Sequence, residues 1–176
     1  METVRDVCKY IGSVIENNPV CIETGSTYYI PEENLIHTTT NNIVDHVCAP
    51  NNGMLFSVDI DEEHQNQAKK VTNQNYVKFL TGDSIEILSN LKIPTVDILC
   101  LDSKEFDEEH AVKEFRCVEP YLRYNKHFVL VDDIHNTNSV KWKKIVPILK
   151  DLDYKYIEVP TPTGLFVATK GYNLEA

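Results

Sequence analysis

Three carboxylates stand where two apolar runs stop. The first run, Val96-Asp97-Ile98-Leu99-Cys100-Leu101-Asp102, ends on Asp102, and the second, which starts at His127, ends on Asp132 and Asp133. Neither run alternates polar with apolar residues, the pattern of a strand buried on both faces of a parallel sheet. In an open α/β sheet the carboxyl ends of neighbouring parallel strands border the ligand crevice, so acids distant in sequence converge there. Gathered carboxylates repel one another unless a cation or shared protons relieve them, and an all-oxygen ligand set suits Mg²⁺, Ca²⁺ or Mn²⁺. A hard divalent metal on Asp102, Asp132 and Asp133 is therefore the first expectation. Turn and cap residues at solvated strand ends are the plainer account of the same acids.

The elements that must carry these acids alternate between strand and helix. Apolar residues at Val4, Val7, Cys8, Ile11, Val14 and Ile15 have the spacing of an amphipathic helix laid against a sheet, and Asn17-Asn18-Pro19 stops it. A buried strand over 19–23 then runs into Thr24-Gly25-Ser26, small residues that let the backbone turn beside a ligand. Residues 27–42 read as a long functional loop, with Tyr28 and His37 as residues that close over a substrate, and Asn41 or Asn42 as cap of a helix reaching Val47. Strands follow at 54–59 and 76–80, with Asp61 opening one helix and Asp83 or Ser84 capping the next. A helix over 138–152 includes Lys141-Trp142-Lys143-Lys144, read as a solvated face with Trp142 turned inward. The last two strands are joined only by Pro160-Thr161-Pro162-Thr163, too short for a crossover, so they must be antiparallel.

The chain of 176 residues, 42% hydrophobic and 25% charged, is enough for one domain with a real core. Its net charge of -10 argues against a surface built to neutralise nucleic-acid phosphates or anionic lipid. Five cysteines, an odd number with no CxxC pair, read as reduced core residues, and with no signal pattern or membrane-length apolar run the expected location is cytoplasmic.

An acid ending the second strand, a Gly-Asp pair after the third and a terminal antiparallel hairpin resemble the class I S-adenosylmethionine-dependent methyltransferases. Leu101-Asp102-Ser103 and Val131-Asp132-Asp133 are similar to the metal-dependent O-methyltransferases, in the branch of cephalosporin hydroxylase-like and macrolide sugar enzymes and more distantly the catechol type. The resemblance implies a single Rossmann-like α/β domain over 1–176: a doubly wound seven-stranded sheet, mostly parallel, with a C-terminal antiparallel hairpin and helices on both faces. It implies S-adenosylmethionine as cofactor and Mg²⁺ or another hard divalent ion on Asp102, Asp132 and Asp133. By the same resemblance Glu23, Gly25 and Ser26 form the turn beneath the methionine part. Asp59 accepts from both ribose hydroxyls, Asp83 and Ser84 lie near the adenine, and Asp102 borders the cofactor as well as the metal. The turn carries one glycine where such turns have two or more. Lys104 and Glu105 stand where the family places a basic residue or histidine.

His135, whose imidazole titrates near neutrality, joins Lys104 and Glu105 as a candidate general base. The expected reaction is methyl transfer to a hydroxyl of a small molecule or sugar, with the acceptor chosen by loops or by a partner subunit in a homo-oligomer. Two rivals stand beside it: a cofactor-binding regulatory or interaction module of the same fold without catalysis, and a nicotinamide-dependent oxidoreductase on a related sheet. The lone Gly25 speaks against the latter, since the dinucleotide fingerprint needs three spaced glycines.

Overall fold

The computed structural model describes residues 1–26, 29–30, 35–36 and 39–174. Seven strands form one sheet: β1 (Val20–Thr24), β2 (Met54–Asp59), β3 (Val77–Thr81), β4 (Ile98–Leu101), β5 (His127–Asp132), β6 (Lys155–Val159) and β7 (Leu165–Lys170). Their order is β3-β2-β1-β4-β5-β7-β6. The first five run parallel, and β7 lies antiparallel between β5 and β6. This is the expected sheet, with the hairpin where the short Pro160–Thr163 link required it. A separate two-residue ladder pairs Tyr29–Ile30 with Leu35–Ile36.

Burial follows from the apolar runs. Every residue of β4 and β5 is buried, because helices cover both faces of the sheet. On one face α1 (Val4–Val14) inserts Val7, Cys8 and Ile11, and α2 (Thr39–Ile43) continues into a π-helical turn, Val44–Cys48, that adds Val44 and Val47. On the other face α4 (Ser84–Asn90), α5 (His110–Val118) and α6 (Trp142–Asp151) pack Leu88, Phe115, Ile145 and Leu149 against Leu99, Val129 and Phe166. The remaining helix, α3 (Glu62–Val71), is capped by Asp61, whose side chain accepts from the Glu63 N–H.

Two local expectations are corrected. Asn41 and Asn42 lie inside α2 and are not its cap, because the helix begins at Thr39 and is anchored early by Thr40, which is buried and donates to Glu23. Lys141 is not on a solvated face: it is completely buried, at the point where α6 starts. Tyr28 and His37 lie outside the described residues. Among the described residues no helix is long and apolar enough to cross a membrane.

Glu23 is a carboxyl in the sheet interior. Its Oε1 accepts from Thr40 Oγ1 at 2.5 Å and Ser57 Oγ at 2.6 Å, while Oε2 meets no partner among the described residues. Burial pushes its pKa up to about 8, with the charges of Asp102 and Asp59 adding to the shift and the two hydroxyl bonds opposing it. A carboxyl whose pKa is raised on folding holds its proton longer folded than unfolded, so its contribution to stability is complete below 4.5, its ordinary value, and is lost as pH rises toward 8. Glu23→Gln should flatten that slope, raising stability relative to wild type by on the order of 3 kcal/mol at pH 7 and little at pH 4.5, as read by denaturant unfolding at both pH values. Phe115→Ala, which empties a fully buried aromatic site under α5, should cost about 3–5 kcal/mol in the same assay at either pH.

Candidate active site

Strands after β1 are added on one side of it as β2 and β3, and on the other as β4 and β5, so the covering helices change face between β1 and β4. Such a switch point leaves a crevice outside the carboxyl ends of the strands. Here the two chains leaving β1 and β4 nearly touch: a Cβ on Gly25 would lie 2.4 Å from the Asp102 carbonyl oxygen, and Gly25 has φ +91°. Both constraints demand glycine at this position. The Gly25 N–H donates to the Val58 carbonyl at 2.8 Å and the Asp102 N–H to the Thr24 carbonyl at 2.9 Å, which fixes the rim of the crevice to the sheet.

The crevice is a cavity of about 560 Å³, within the range that holds small molecules and cofactors. Of the residues singled out from sequence, Gly25, Ser26, Asp59, Asp83, Ser84, Asp102, Lys104, Glu105 and Asp133 line it. Asp59, the last residue of β2, is held at both oxygens: Oδ2 accepts from the Ser26 N–H and Oδ1 from the Asp61 N–H, each at 2.8 Å. Those two bonds aim the carboxylate and leave lone pairs for further donors. Asp83, which also lines the cavity, caps α4 through the Glu86 N–H.

Three expected site residues lie elsewhere. Glu23 is beneath the turn, on the sheet side. Asp132 is buried and accepts from the Asp133 N–H at 2.9 Å instead of lining the cavity. His135 is half exposed, with Nε2 3.8 Å from Glu158, and its ring lies so close to Gly164 that a Cβ there would come within 2.5 Å. His135 and Gly164 thus lock the β6–β7 hairpin to the end of β5, helped by the His135 N–H donating to the Thr163 carbonyl.

Several groups that line or underlie the cavity were not singled out from sequence. Glu114, fully buried on α5, accepts from Ser84 Oγ at 2.5 Å, Ser103 Oγ at 2.6 Å and Thr24 Oγ1 at 3.0 Å, with His110 Nε2 3.1 Å away. One carboxylate therefore gathers the ends of β1 and β4 and the start of α4. His64 places Nδ1 3.6 Å from Asp59, and Asn136 and Thr163 also line the cavity. An amphipathic pattern marks α5 as a packing helix but gives no sign that one of its acids faces inward.

The acid pair at the strand ends has a partner. Lys141 Nζ donates to Asp102 Oδ1 at 2.6 Å and to Asp133 Oδ2 at 2.9 Å. Burial alone lowers the pKa of an ammonium, but the charge and hydrogen bonds of the two aspartates outweigh it, and the Lys141 pKa is raised. Asp133 reaches the lysine because its backbone adopts φ +62°, a conformation that aspartate tolerates. The position between the two acids is thus taken by nitrogen, and among the described residues no group of three His, Cys, Asp or Glu side chains could hold a metal ion. The residues do not fit the divalent ion expected from the sequence.

A family model described as a methyltransferase domain matches residues 38–134, which contain Asp59, Asp83, Asp102, Asp132 and Asp133 and stop short of Lys141. No curated protein sequence matches the chain significantly. Among solved structures, a putative caffeoyl-CoA O-methyltransferase from Staphylococcus aureus superposes with a TM-score of 0.69 at 17% identity, covering 95% of this chain and 82% of that one. The cofactor-bound structure of Rv0187 from MTB gives 0.72 at 14% identity over 97% and 80% of the two chains. A protein from Corynebacterium glutamicum gives 0.69 at 15% identity over 100% and 84%. These likenesses are of fold, while the family match covers more than half of the sequence and the acids at the strand ends; the chain belongs to the methyltransferase-domain family, with the class I S-adenosylmethionine-dependent fold.

Proposed function

We propose that this protein moves a methyl group from S-adenosylmethionine to a hydroxyl of a small molecule or sugar. The observation that carries the reading is Asp59. A carboxylate at the end of β2, braced by two backbone N–H groups and open to the cavity, suits the paired hydroxyls of a ribose, because only an acceptor with several lone pairs satisfies both donors. Gly25 and Ser26 take the methionine part, where the lack of a side chain at Gly25 lets the cofactor approach the backbone. Asp83 and the neighbouring Gly82 border the adenine; Ser84 is held by Glu114, so it shapes that wall through the turn it starts.

S-adenosylmethionine, when bound, would supply an electrophilic methyl on its sulfonium sulfur, the C–S electron pair staying with sulfur as the acceptor oxygen takes the methyl and gives up its proton. The chain has to align the acceptor oxygen behind that methyl and receive its proton. Asp102 and Asp133 border the cavity where β4 and β5 end, and Ser103, Lys104 and Glu105 stand beside them. A hydroxyl donating to one of these carboxylates is oriented by it and transfers its proton there. His135, turned toward Glu158, takes no part in this scheme. A second reading, cofactor binding without turnover, is favoured by the lysine that stands between the acids, since it removes the place of a Lewis acid. Formation of S-adenosylhomocysteine separates the two.

Incubation of the purified protein with S-adenosylmethionine and a panel of hydroxylated small molecules, read by mass spectrometry, should yield S-adenosylhomocysteine and a methylated oxygen. Absence of any S-adenosylmethionine binding in calorimetry overturns the reading. Asp59→Asn, which keeps the size of the side chain but loses its charge, should weaken that binding by about tenfold or more, corresponding to the roughly 1.5–3 kcal/mol of a hydrogen bond to a charged group.

A further inference from the structure

We propose that Lys141 is the resident cation of the acid cluster and stands in the place of a divalent metal, so that this protein binds and works on its substrate without one. The proposal deepens the methyl-transfer reading and rests on it for its chemistry. An ion bridging Asp102 and Asp133 has to lie within bonding distance of one oxygen from each, about 2.0–2.6 Å for the hard divalent metals. Lys141 Nζ already occupies that bridging position, at 2.6 Å from Asp102 Oδ1 and 2.9 Å from Asp133 Oδ2. The side chain has no exit to water, being completely buried.

The backbone keeps it there. The Glu105 carbonyl accepts from the N–H groups of Val140 and Lys141 at 2.7 and 3.2 Å, tying the start of α6 to the loop after β4, and Ile145 one turn on is fully buried in the core. The lysine therefore enters the acid pair from a fixed point, between the two strands whose ends it joins. Admitting a divalent ion would force a full positive charge out of the site with nowhere for it to go. The chemical consequence concerns the acceptor. Lys141 does not line the cavity, so the acceptor hydroxyl meets carboxylate oxygens and no Lewis acid. Lys141 is a positioning residue: it keeps Asp102 and Asp133 adjacent and oriented while both carry charge.

The test is direct measurement of Mn²⁺ binding by electron paramagnetic resonance and calorimetry, with S-adenosylmethionine binding measured separately in the presence of EDTA. The wild-type protein should show no saturable Mn²⁺ site, and EDTA should leave cofactor affinity and turnover unchanged. Lys141→Ala, checked for folding by circular dichroism, should gain one equivalent of bound Mn²⁺, and that site should vanish again in the double variant Lys141→Ala, Asp102→Asn. Stoichiometric Mn²⁺ binding by wild type that is lost in Asp102→Asn overturns the proposal, whether or not the lysine variant folds. A folded Lys141→Ala that binds no Mn²⁺ also overturns it. Loss of cofactor binding with wild type still free of metal would strike the methyl-transfer reading alone.

Discussion

The direction in which the chain leaves β1 and β4 governs everything in the cavity. Parallel strands expose their unpaired carbonyl ends together, and when the connections depart toward opposite faces the sheet must part there. Gly25 and Asp102 show how close the two departures are, since not even a methyl group fits between them. Ser26 and Asp59 then fall on one side of the parting, Ser103 and Asp133 on the other. A cofactor and an acceptor placed across such a parting face each other by construction, which is why methyl transfer needs little further machinery beyond alignment.

Charge is handled differently in the two halves. Glu114 accepts from three hydroxyls, each donating from a different segment, with the His110 imidazole 3.1 Å away, so one carboxylate replaces several separate braces. Asp102 and Asp133 are answered by a single ammonium. Buried acids need partners in either case, because an unanswered charge in the interior is among the most costly arrangements a fold can contain. Glu23 follows a third course, with its proton retained near neutral pH in place of a counter-ion.

Local patterns were legible in the sequence and long-range partners were not. The strand ends, the Asp61 cap and the antiparallel hairpin follow from apolar runs, capping chemistry and a link too short to cross over. The start of α2 was hidden because Thr39, Thr40, Asn41 and Asn42 read as loop, whereas in the fold Thr39 and Thr40 are buried and Thr40 donates to Glu23 in the sheet. Lys141 sits in a basic run that resembles any solvated helix face; its role depends on two aspartates contributed by other strands. The acids at Asp102, Asp132 and Asp133 read as ligands of a divalent metal, whereas the cation between Asp102 and Asp133 is the Lys141 ammonium. What the sequence lacks is any mark of whether that cation comes from solution or from the chain.

The bracing by Glu114 also bears on how such a domain diversifies. Since Thr24, Ser84 and Ser103 share one buried acceptor, a change at any of them disturbs three loops at once, and the floor of the cavity resists piecemeal alteration. Lys104, Glu105, Asn136 and Thr163 line the same cavity, and none of their side chains is among the groups that donate to Glu114. New preferences would therefore accumulate at these four positions, over a base inherited almost intact.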